Sequence, residues 1–82
     1  MGDKKKQVAI LGSTGSIGTQ ALAVISQHPS LFEVEVLTAN NNSSLLIEQA
    51  KKFLPNTVVI ANENKYAEVN DALFRLGIKV FT

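Results

Sequence analysis

VAILGSTGSIG, residues 8–18, is the run from which the fold of this chain can be inferred. A short apolar stretch leads into a glycine-rich turn, and a helical pattern opens directly after it. This order brings backbone N–H groups and the positive end of a helix against the pyrophosphate of a dinucleotide. The spacing G-x-x-G-x-x-G differs by one position from the common G-x-G-x-x-G. The strand before it and the helix after it nevertheless favour dinucleotide binding over a purely structural turn.

The three glycines of this run have separate expected roles. Gly12 lets the chain leave the strand sharply, Gly15 removes a Cβ where the pyrophosphate comes close, and Gly18 lets the helix pack tightly on the sheet. Gly18 is followed by Thr19 rather than by the Lys-Ser/Thr pair of a nucleoside-triphosphate loop. The run is therefore not a triphosphate loop.

Composition narrows the class of protein. The chain has 82 residues, 45% of them hydrophobic and 18% charged, which indicates one small globular domain at most. A net charge of +1 gives no electrostatic case for a nucleic-acid or membrane partner, and the absence of cysteine excludes thiol chemistry. The apolar run after the lysines at 4–6 is too short for a secretory signal or a membrane span. We expect a soluble chain with a cytoplasmic location.

Strand and helix patterns alternate along the chain, which predicts the α/β class. The periodicity predicts strands over 7–11, 32–39, 57–61 and 78–81, and helices over 16–27, 44–53 and from a cap at Asn62 to a stop at Gly77. On the first helix, the predicted buried stripe is Ile17, Ala21, Leu22, Val24 and Ile25. The order βαβαβαβ is typical of the first half of a Rossmann-like, doubly wound parallel sheet plus a fourth strand. Because Thr82 directly follows a strand, we interpret the chain as a piece of a larger protein.

The turn after the second strand bears on the choice of dinucleotide. It reads Thr-Ala-Asn-Asn-Asn over 38–42, without the acid that binds the ribose 2′-hydroxyl of NAD. Glu33 and Glu35 lie at the wrong end of that strand. NADP(H) is therefore favoured, with asparagine amides and an approaching Lys51 or Lys52 as donors to the 2′-phosphate. The alternative is that the asparagines serve only as turn and cap residues.

The heptapeptide Gly-Ser-Thr-Gly-Ser-Ile-Gly at 12–18, the pair His28-Pro29 and the Ala-Asn-Asn-Asn turn together resemble the N-terminus of the 1-deoxy-D-xylulose 5-phosphate reductoisomerase family. The resemblance implies an enzyme that rearranges this phosphosugar and reduces the product with NADPH. The product is 2-C-methyl-D-erythritol 4-phosphate, an intermediate of non-mevalonate isoprenoid biosynthesis. Residues 1–82 would then be the N-terminal part of an NADP(H)-binding domain, with the catalytic and C-terminal domains outside the chain.

The resemblance also implies the site residues. Thr14, Gly15, Ser16 and Ile17 would hold the NADPH phosphates and adjoining atoms, and the turn after the second strand would contact the adenosine end. The predicted cofactor-binding residues are Gly12, Thr14, Gly15, Ser16, Ile17, Asn40, Asn41 and Asn42. Asn42 matches the family's final asparagine, whereas Asn40 and Asn41 replace a glycine and a basic residue.

Catalytic and metal-binding residues are not expected within this chain. The resemblance places the ligands of the divalent metal, Mg or Mn, in a later domain of a homodimeric enzyme. His28 is interpreted as a helix-end residue, and Ser13 and Ser16 as phosphate-loop hydroxyls rather than nucleophiles. Two alternatives stay open: part of another NAD(P)-dependent reductase or epimerase, and a freestanding nucleotide-binding module. The module would have to fold alone, and we expect the isolated chain to be marginally folded or self-associating.

Overall fold

The structure is a computed structural model and describes residues 4–82. The elements are β1 (Lys6–Ile10), α1 (Ser16–Ser26), β2 (Phe32–Ala39), α2 (Ser43–Phe53), β3 (Thr57–Ile60), α3 (Tyr66–Leu73) and β4 (Lys79–Phe81). The predicted order βαβαβαβ is confirmed, with most boundaries within one or two residues. The third helix differs, because α3 is flanked by 3-10 turns at Glu63–Lys65 and Phe74–Leu76. Gly77 ends this segment at φ +78°, the left-handed stop predicted there.

All four strands are parallel and lie in the order β1-β2-β3-β4. Each crossover therefore moves in the same direction, and right-handed crossovers of this kind place α1, α2 and α3 on one face of the sheet. β4 pairs with β3 rather than lying beyond β1. The strands therefore follow one another in a single direction across the sheet, as they do in one half of a Rossmann-like fold. Within residues 4–82, β1 pairs with β2 alone.

The hydrophobic core lies between this sheet and the three helices. Strand residues on the covered face, the helix residues opposite them and Ile78, which precedes β4, are buried: Leu22, Ile25, Val34, Leu37, Ala39, Leu46, Ala50, Val58, Ile60, Val69, Leu73, Ile78 and Val80. Strand residues of the other face remain open, since Val36 and Val59 are only half-buried and Phe81 is 52% exposed. The molecule therefore has two layers, with one apolar sheet face uncovered among the described residues.

A bulge in β2 adjusts which side chains face the helices. Val8 pairs with Val34 but Ala9 pairs with Val36, so Glu35 is an extra residue in β2. The Asn56 amide donates to Glu35 Oε2 at 2.6 Å, at the start of β3. Glu35 is thereby held at the amino edge of the sheet, the end at which it was expected.

The predicted stripe on α1 is partly wrong. Leu22 and Ile25 are buried, but Ile17 is 82% exposed and Val24 is 55% exposed. α1 packs over the edge strand β1, so only a narrow side of the helix is covered. Among the described helices, none is long and apolar enough to cross a membrane.

Candidate functional site

The glycine-rich turn connects β1 to α1 at the carboxyl edge of the sheet. Gly12 has φ +69°, a conformation that favours glycine, and its carbonyl oxygen accepts from the Gly15 N–H at 3.0 Å. Gly15 is the N-cap of α1, and Ser16 is the first helical residue. The chain therefore reverses from strand to helix within five residues, as the role predicted for Gly12 requires.

Gly18 seats α1 directly on this turn. A Cβ at Gly18 would lie 2.3 Å from the Gly12 carbonyl oxygen and 2.7 Å from the Ser13 Cα. These neighbours are backbone atoms, so no side chain fits there without moving the turn. A close approach at Gly18 is present, but the expectation that it is an approach of the helix to the sheet is wrong, because the atoms that a Cβ would meet belong to the turn.

Gly15 differs from Gly18, because the protein itself leaves room for a side chain there. A Cβ at Gly15 would meet only the Gly12 carbonyl oxygen, at 3.5 Å, which is ordinary contact. Its φ of −82° and ψ of 176° are extended values that any residue adopts. Nothing in the fold requires glycine at this position, so a requirement for it would come from a group that approaches from outside.

The first turn of α1 presents backbone donors to that outside space. The Gly15 N–H is used within the turn, and the Thr19 N–H donates to the Gly15 carbonyl at 2.9 Å. The N–H groups of Ser16, Ile17 and Gly18 lie in the first turn of α1, where no preceding turn of the helix supplies a carbonyl acceptor. The N-cap makes no side-chain hydrogen bond, and the first turn contains no acidic residue. These donors and the helix dipole fit an anionic group such as a pyrophosphate.

Two residues outside the turn hold it in place, and the sequence reasoning missed both as site residues. Thr38 at the end of β2 accepts from the Gly12 N–H through Oγ1 at 2.9 Å and from the Ser13 N–H through its carbonyl at 2.7 Å. Gln49 of α2 accepts from Ser13 Oγ–H at 2.7 Å and donates through Nε2 to the Ser13 carbonyl at 2.8 Å. Four hydrogen bonds therefore clamp Gly12 and Ser13.

The expectation that Ser13 supplies a phosphate-loop hydroxyl is therefore wrong. Its side chain is fully buried and bonded to Gln49, which is itself only 8% exposed. A signal was present in the sequence, since Gln49 lies between Leu46 and Ala50 on the buried side of α2. A polar side chain in such a position needs a hydrogen-bond partner inside the fold.

The asparagine turn lies beside the glycine turn at the same edge. Asn42 caps α2, because its Oδ1 accepts from the Leu45 N–H at 3.2 Å. Asn40 and Asn41 are exposed and contact the turn after β3: the Asn40 carbonyl accepts from the Asn62 N–H at 2.9 Å. The interpretation as a helix cap thus holds for Asn42 Oδ1. Asn40 and Asn41 lie next to the glycine turn, at the same edge of the sheet.

The structure contradicts the expected approach of Lys51 or Lys52 to this turn. α2 starts at the asparagine turn and runs away from it, and both lysines lie in its last turn, nine and ten residues after Asn42. Lys52 instead helps line a cavity of about 480 Å³ with Lys5 and Phe32, at the amino edge of the sheet. The asparagine turn therefore offers a ligand neutral amides and backbone groups.

The predicted cofactor residues are brought together at one edge of the sheet. Gly12, Gly15, Ser16, Ile17 and the three asparagines are exposed there, and Thr14 is half-buried. His28 lies at the far end of α1, with its N–H donating to the Ile25 carbonyl. Within residues 4–82, no group of three or more His, Cys, Asp or Glu side chains could hold a metal ion.

A parallel sheet whose first strand leads through a glycine turn into an uncapped helix defines a Rossmann-like nucleotide-binding architecture. A family model described as 1-deoxy-D-xylulose 5-phosphate reductoisomerase matches residues 8–82. The chain belongs to that family. This confirms the resemblance drawn from the heptapeptide at 12–18.

Relatives and solved structures agree with this assignment. Proteins named 1-deoxy-D-xylulose 5-phosphate reductoisomerase from Bacteroides fragilis and Porphyromonas gingivalis are 67% and 58% identical over 95% and 94% of this chain. The structure of the Zymomonas mobilis enzyme in complex with NADPH superposes with a TM-score of 0.90 at 32% identity, over 95% of this chain and 21% of its own. A structure of DOX-P reductoisomerase with NADPH, fosmidomycin and magnesium superposes over 93% of this chain and 19% of its own, with a TM-score of 0.82 and 31% identity. The chain spans about a fifth of the length of these curated relatives.

Proposed function

We propose that residues 1–82 are the N-terminal part of the NADP(H)-binding Rossmann-like domain of a 1-deoxy-D-xylulose 5-phosphate reductoisomerase. In that enzyme the phosphosugar is isomerised and reduced to 2-C-methyl-D-erythritol 4-phosphate, within non-mevalonate isoprenoid biosynthesis. The ligands of its divalent metal, Mg or Mn, and its catalytic and C-terminal domains lie outside this chain. We assign it a cytoplasmic location, a homodimeric state, and no nucleic-acid or membrane partner.

The observation that carries this proposal is the uncapped first turn of α1 beside the clamped glycine turn. The N–H groups of Ser16 and Ile17 bind the pyrophosphate, and Gly15 leaves the space through which it approaches. Thr14 lies in the same turn, and Gly12 gives the turn its shape through its positive φ. Asn40, Asn41 and Asn42 line the adenosine end. Neighbouring structures that contain NADPH, and one that also contains magnesium, support the choice of cofactor and metal.

The part played by these residues is to bind and orient rather than to react. NADPH, when bound, supplies the hydride for the reduction. The neutral asparagine turn does not repel a 2′-phosphate, because it lacks the carboxylate that binds a 2′-hydroxyl. This chain therefore sets where the dinucleotide lies, and the groups that act on the phosphosugar come from the rest of the polypeptide.

Substitution of Gly15 by valine tests the proposed pyrophosphate site. Gly15 has extended backbone angles that valine adopts readily, so the fold is expected to survive while the side chain fills the space for the phosphates. NADPH binding by the full-length polypeptide should be lost in a calorimetric titration. Ala23→Val, on the exposed side of the same helix, is the matched control and should bind as the unsubstituted protein does. Unchanged NADPH affinity in Gly15→Val would refute the site.

The proposed division of the enzyme has its own test. The intact mass of the polypeptide made by its source cell should be several times the 8.8 kDa of this chain. A mass near 8.8 kDa would leave no residues for a metal site or a substrate domain. The freestanding nucleotide-binding module would then replace the reductoisomerase as the explanation.

A further inference from the structure

Asn62 joins the turn after β3 to the asparagine turn after β2. Its backbone N–H donates to the Asn40 carbonyl at 2.9 Å, and its side-chain Nδ2 donates to Asn41 Oδ1 at 3.0 Å. Its Oδ1 accepts from the backbone N–H of Asn64 at 2.9 Å. Asn62 is half-buried, whereas Asn41 is exposed. A side chain outside the predicted cofactor residues therefore contacts one of them directly.

These contacts fix the orientation of both amides. A backbone N–H can only donate, so the atom of Asn62 that faces Asn64 has to be the oxygen. The Asn62 nitrogen then faces Asn41, and Asn41 has to meet it with its own oxygen. The Asn41 Nδ2 is left on the opposite side, and among residues 4–82 its two N–H donors make no hydrogen bond to the protein. Asn41 therefore presents donors, and not an acceptor, to the outside of the turn.

We propose that Asn62 is a positioning residue, which orients the Asn41 amide so that its N–H groups bind the 2′-phosphate of NADPH. This inference rests on the proposed function. A phosphate accepts hydrogen bonds at all its oxygens, and a bond from an N–H to this dianion is charge-assisted. The 2′-hydroxyl of NADH gives a weaker, neutral bond to the same donor. The relay from Asn64 through Asn62 to Asn41 thus favours NADPH without a basic side chain in the turn.

The substitution Asn62→Asp reverses the relay while keeping its first bond. The new carboxylate still accepts from the Asn64 N–H, but neither of its oxygens can donate to Asn41. The Asn41 amide then turns over, donates to the carboxylate and presents Oδ1 to the ligand. In the full-length polypeptide, the affinity for NADPH should fall about tenfold or more, and the affinity for NADH should change far less. The measured quantity is the ratio of the two dissociation constants by titration calorimetry.

Asn64→Asp is the matched control, because it adds the same charge two residues away and leaves the backbone N–H in place. Through-solvent repulsion alone should change the ratio by less than about threefold. In an Asn41→Ala background there is no amide at position 41 for Asn62 to orient. Asn62→Asp should then change the ratio of the NADPH and NADH dissociation constants no more than Asn64→Asp does. Thermal unfolding of each variant verifies that the fold is retained.

The outcomes separate the relay from the proposed function. The relay is supported if Asn62→Asp lowers the preference for NADPH over NADH about tenfold and if this effect disappears in the Asn41→Ala background. If the unsubstituted polypeptide binds NADPH but Asn62→Asp and Asn64→Asp give the same ratio, the relay is refuted and the proposed function stands. If the unsubstituted polypeptide does not bind NADPH, the proposed function fails and the relay fails with it.

Discussion

Replacing Gln49 by leucine should weaken NADPH binding although Gln49 is not among the residues proposed to contact the cofactor. The substitution removes the acceptor for Ser13 Oγ–H and the donor to the Ser13 carbonyl, at 2.7 and 2.8 Å. Ser13 is fully buried, so both groups would be left without a partner. Each such group costs about 1–3 kcal/mol. In the Gln49→Leu variant, Ser13 can recover hydrogen bonds only by moving toward water. This movement would displace the backbone of the turn that lies beside the proposed pyrophosphate site.

The expected loss of affinity follows from that displacement. If this displacement makes the free energy of NADPH binding about 1.5–3 kcal/mol less favourable, the NADPH dissociation constant rises roughly 10- to 100-fold. Ser13→Ala should cost less, because the Gln49 Nε2 bond to the Ser13 carbonyl survives. The double variant should cost less than the sum of the two single variants, since both act on one pair of groups.

Calorimetric titration of the full-length polypeptide with NADPH measures these losses. Glu48→Leu, one residue earlier on α2 and exposed, is the control and should bind normally. Amide exchange provides a second readout, in which Gly12 and Ser13 should lose protection while the rest of α2 keeps it. A folded Gln49→Leu variant whose dissociation constant stays within about twofold of the unsubstituted value would refute the clamp.

Further predictions concern the neighbouring turn, the packing of α1 and the open sheet face. Asn41→Arg should raise the preference for NADPH over NADH about tenfold by adding a charge-assisted partner for the 2′-phosphate, measured as the ratio of dissociation constants; an unmoved ratio would mean that the turn does not reach that phosphate. Gly18→Ala should destabilise the domain by about 2 kcal/mol or more, because its Cβ would lie 2.3 Å from the Gly12 carbonyl oxygen; an unchanged melting temperature and NADPH affinity would contradict this close packing of α1 on the turn. Residues 1–82 expressed alone should self-associate or unfold without cooperativity, because Phe81 and the half-buried Val36 and Val59 lie on an uncovered sheet face. Sedimentation and denaturant titration test this, and a monomer with one sharp transition would count against it.

Sequence patterns predicted the elements well where local signals agree. The bounds 32–39 of β2 match the prediction, because β-branched residues lie between Pro29 and the asparagine turn. The roles of Gly12 and Gly77 also followed from local backbone requirements. Such features depend on residues close together in the chain, so periodicity and turn chemistry are sufficient to find them.

Features that depend on contacts across the fold could not be predicted in the same way. The exposure of Ile17 and Val24 follows from the position of α1 over an edge strand, which periodicity does not report. The distance of Lys51 and Lys52 from the asparagine turn follows from the direction in which α2 runs. The Ser13–Gln49 pair joins residues 36 positions apart, and the Asn41–Asn62 pair joins residues 21 apart. Both pairs require strand order and helix placement to be known first.

A crystal structure of the full-length polypeptide with NADPH is the most direct test of the central claim. We predict the pyrophosphate within hydrogen-bond distance of the backbone N–H groups of Ser16 and Ile17, with Gly15 alongside it. We also predict the 2′-phosphate beside Nδ2 of Asn41. NADPH bound elsewhere, with the first turn of α1 facing only water, would contradict the assignment of this edge as the dinucleotide site.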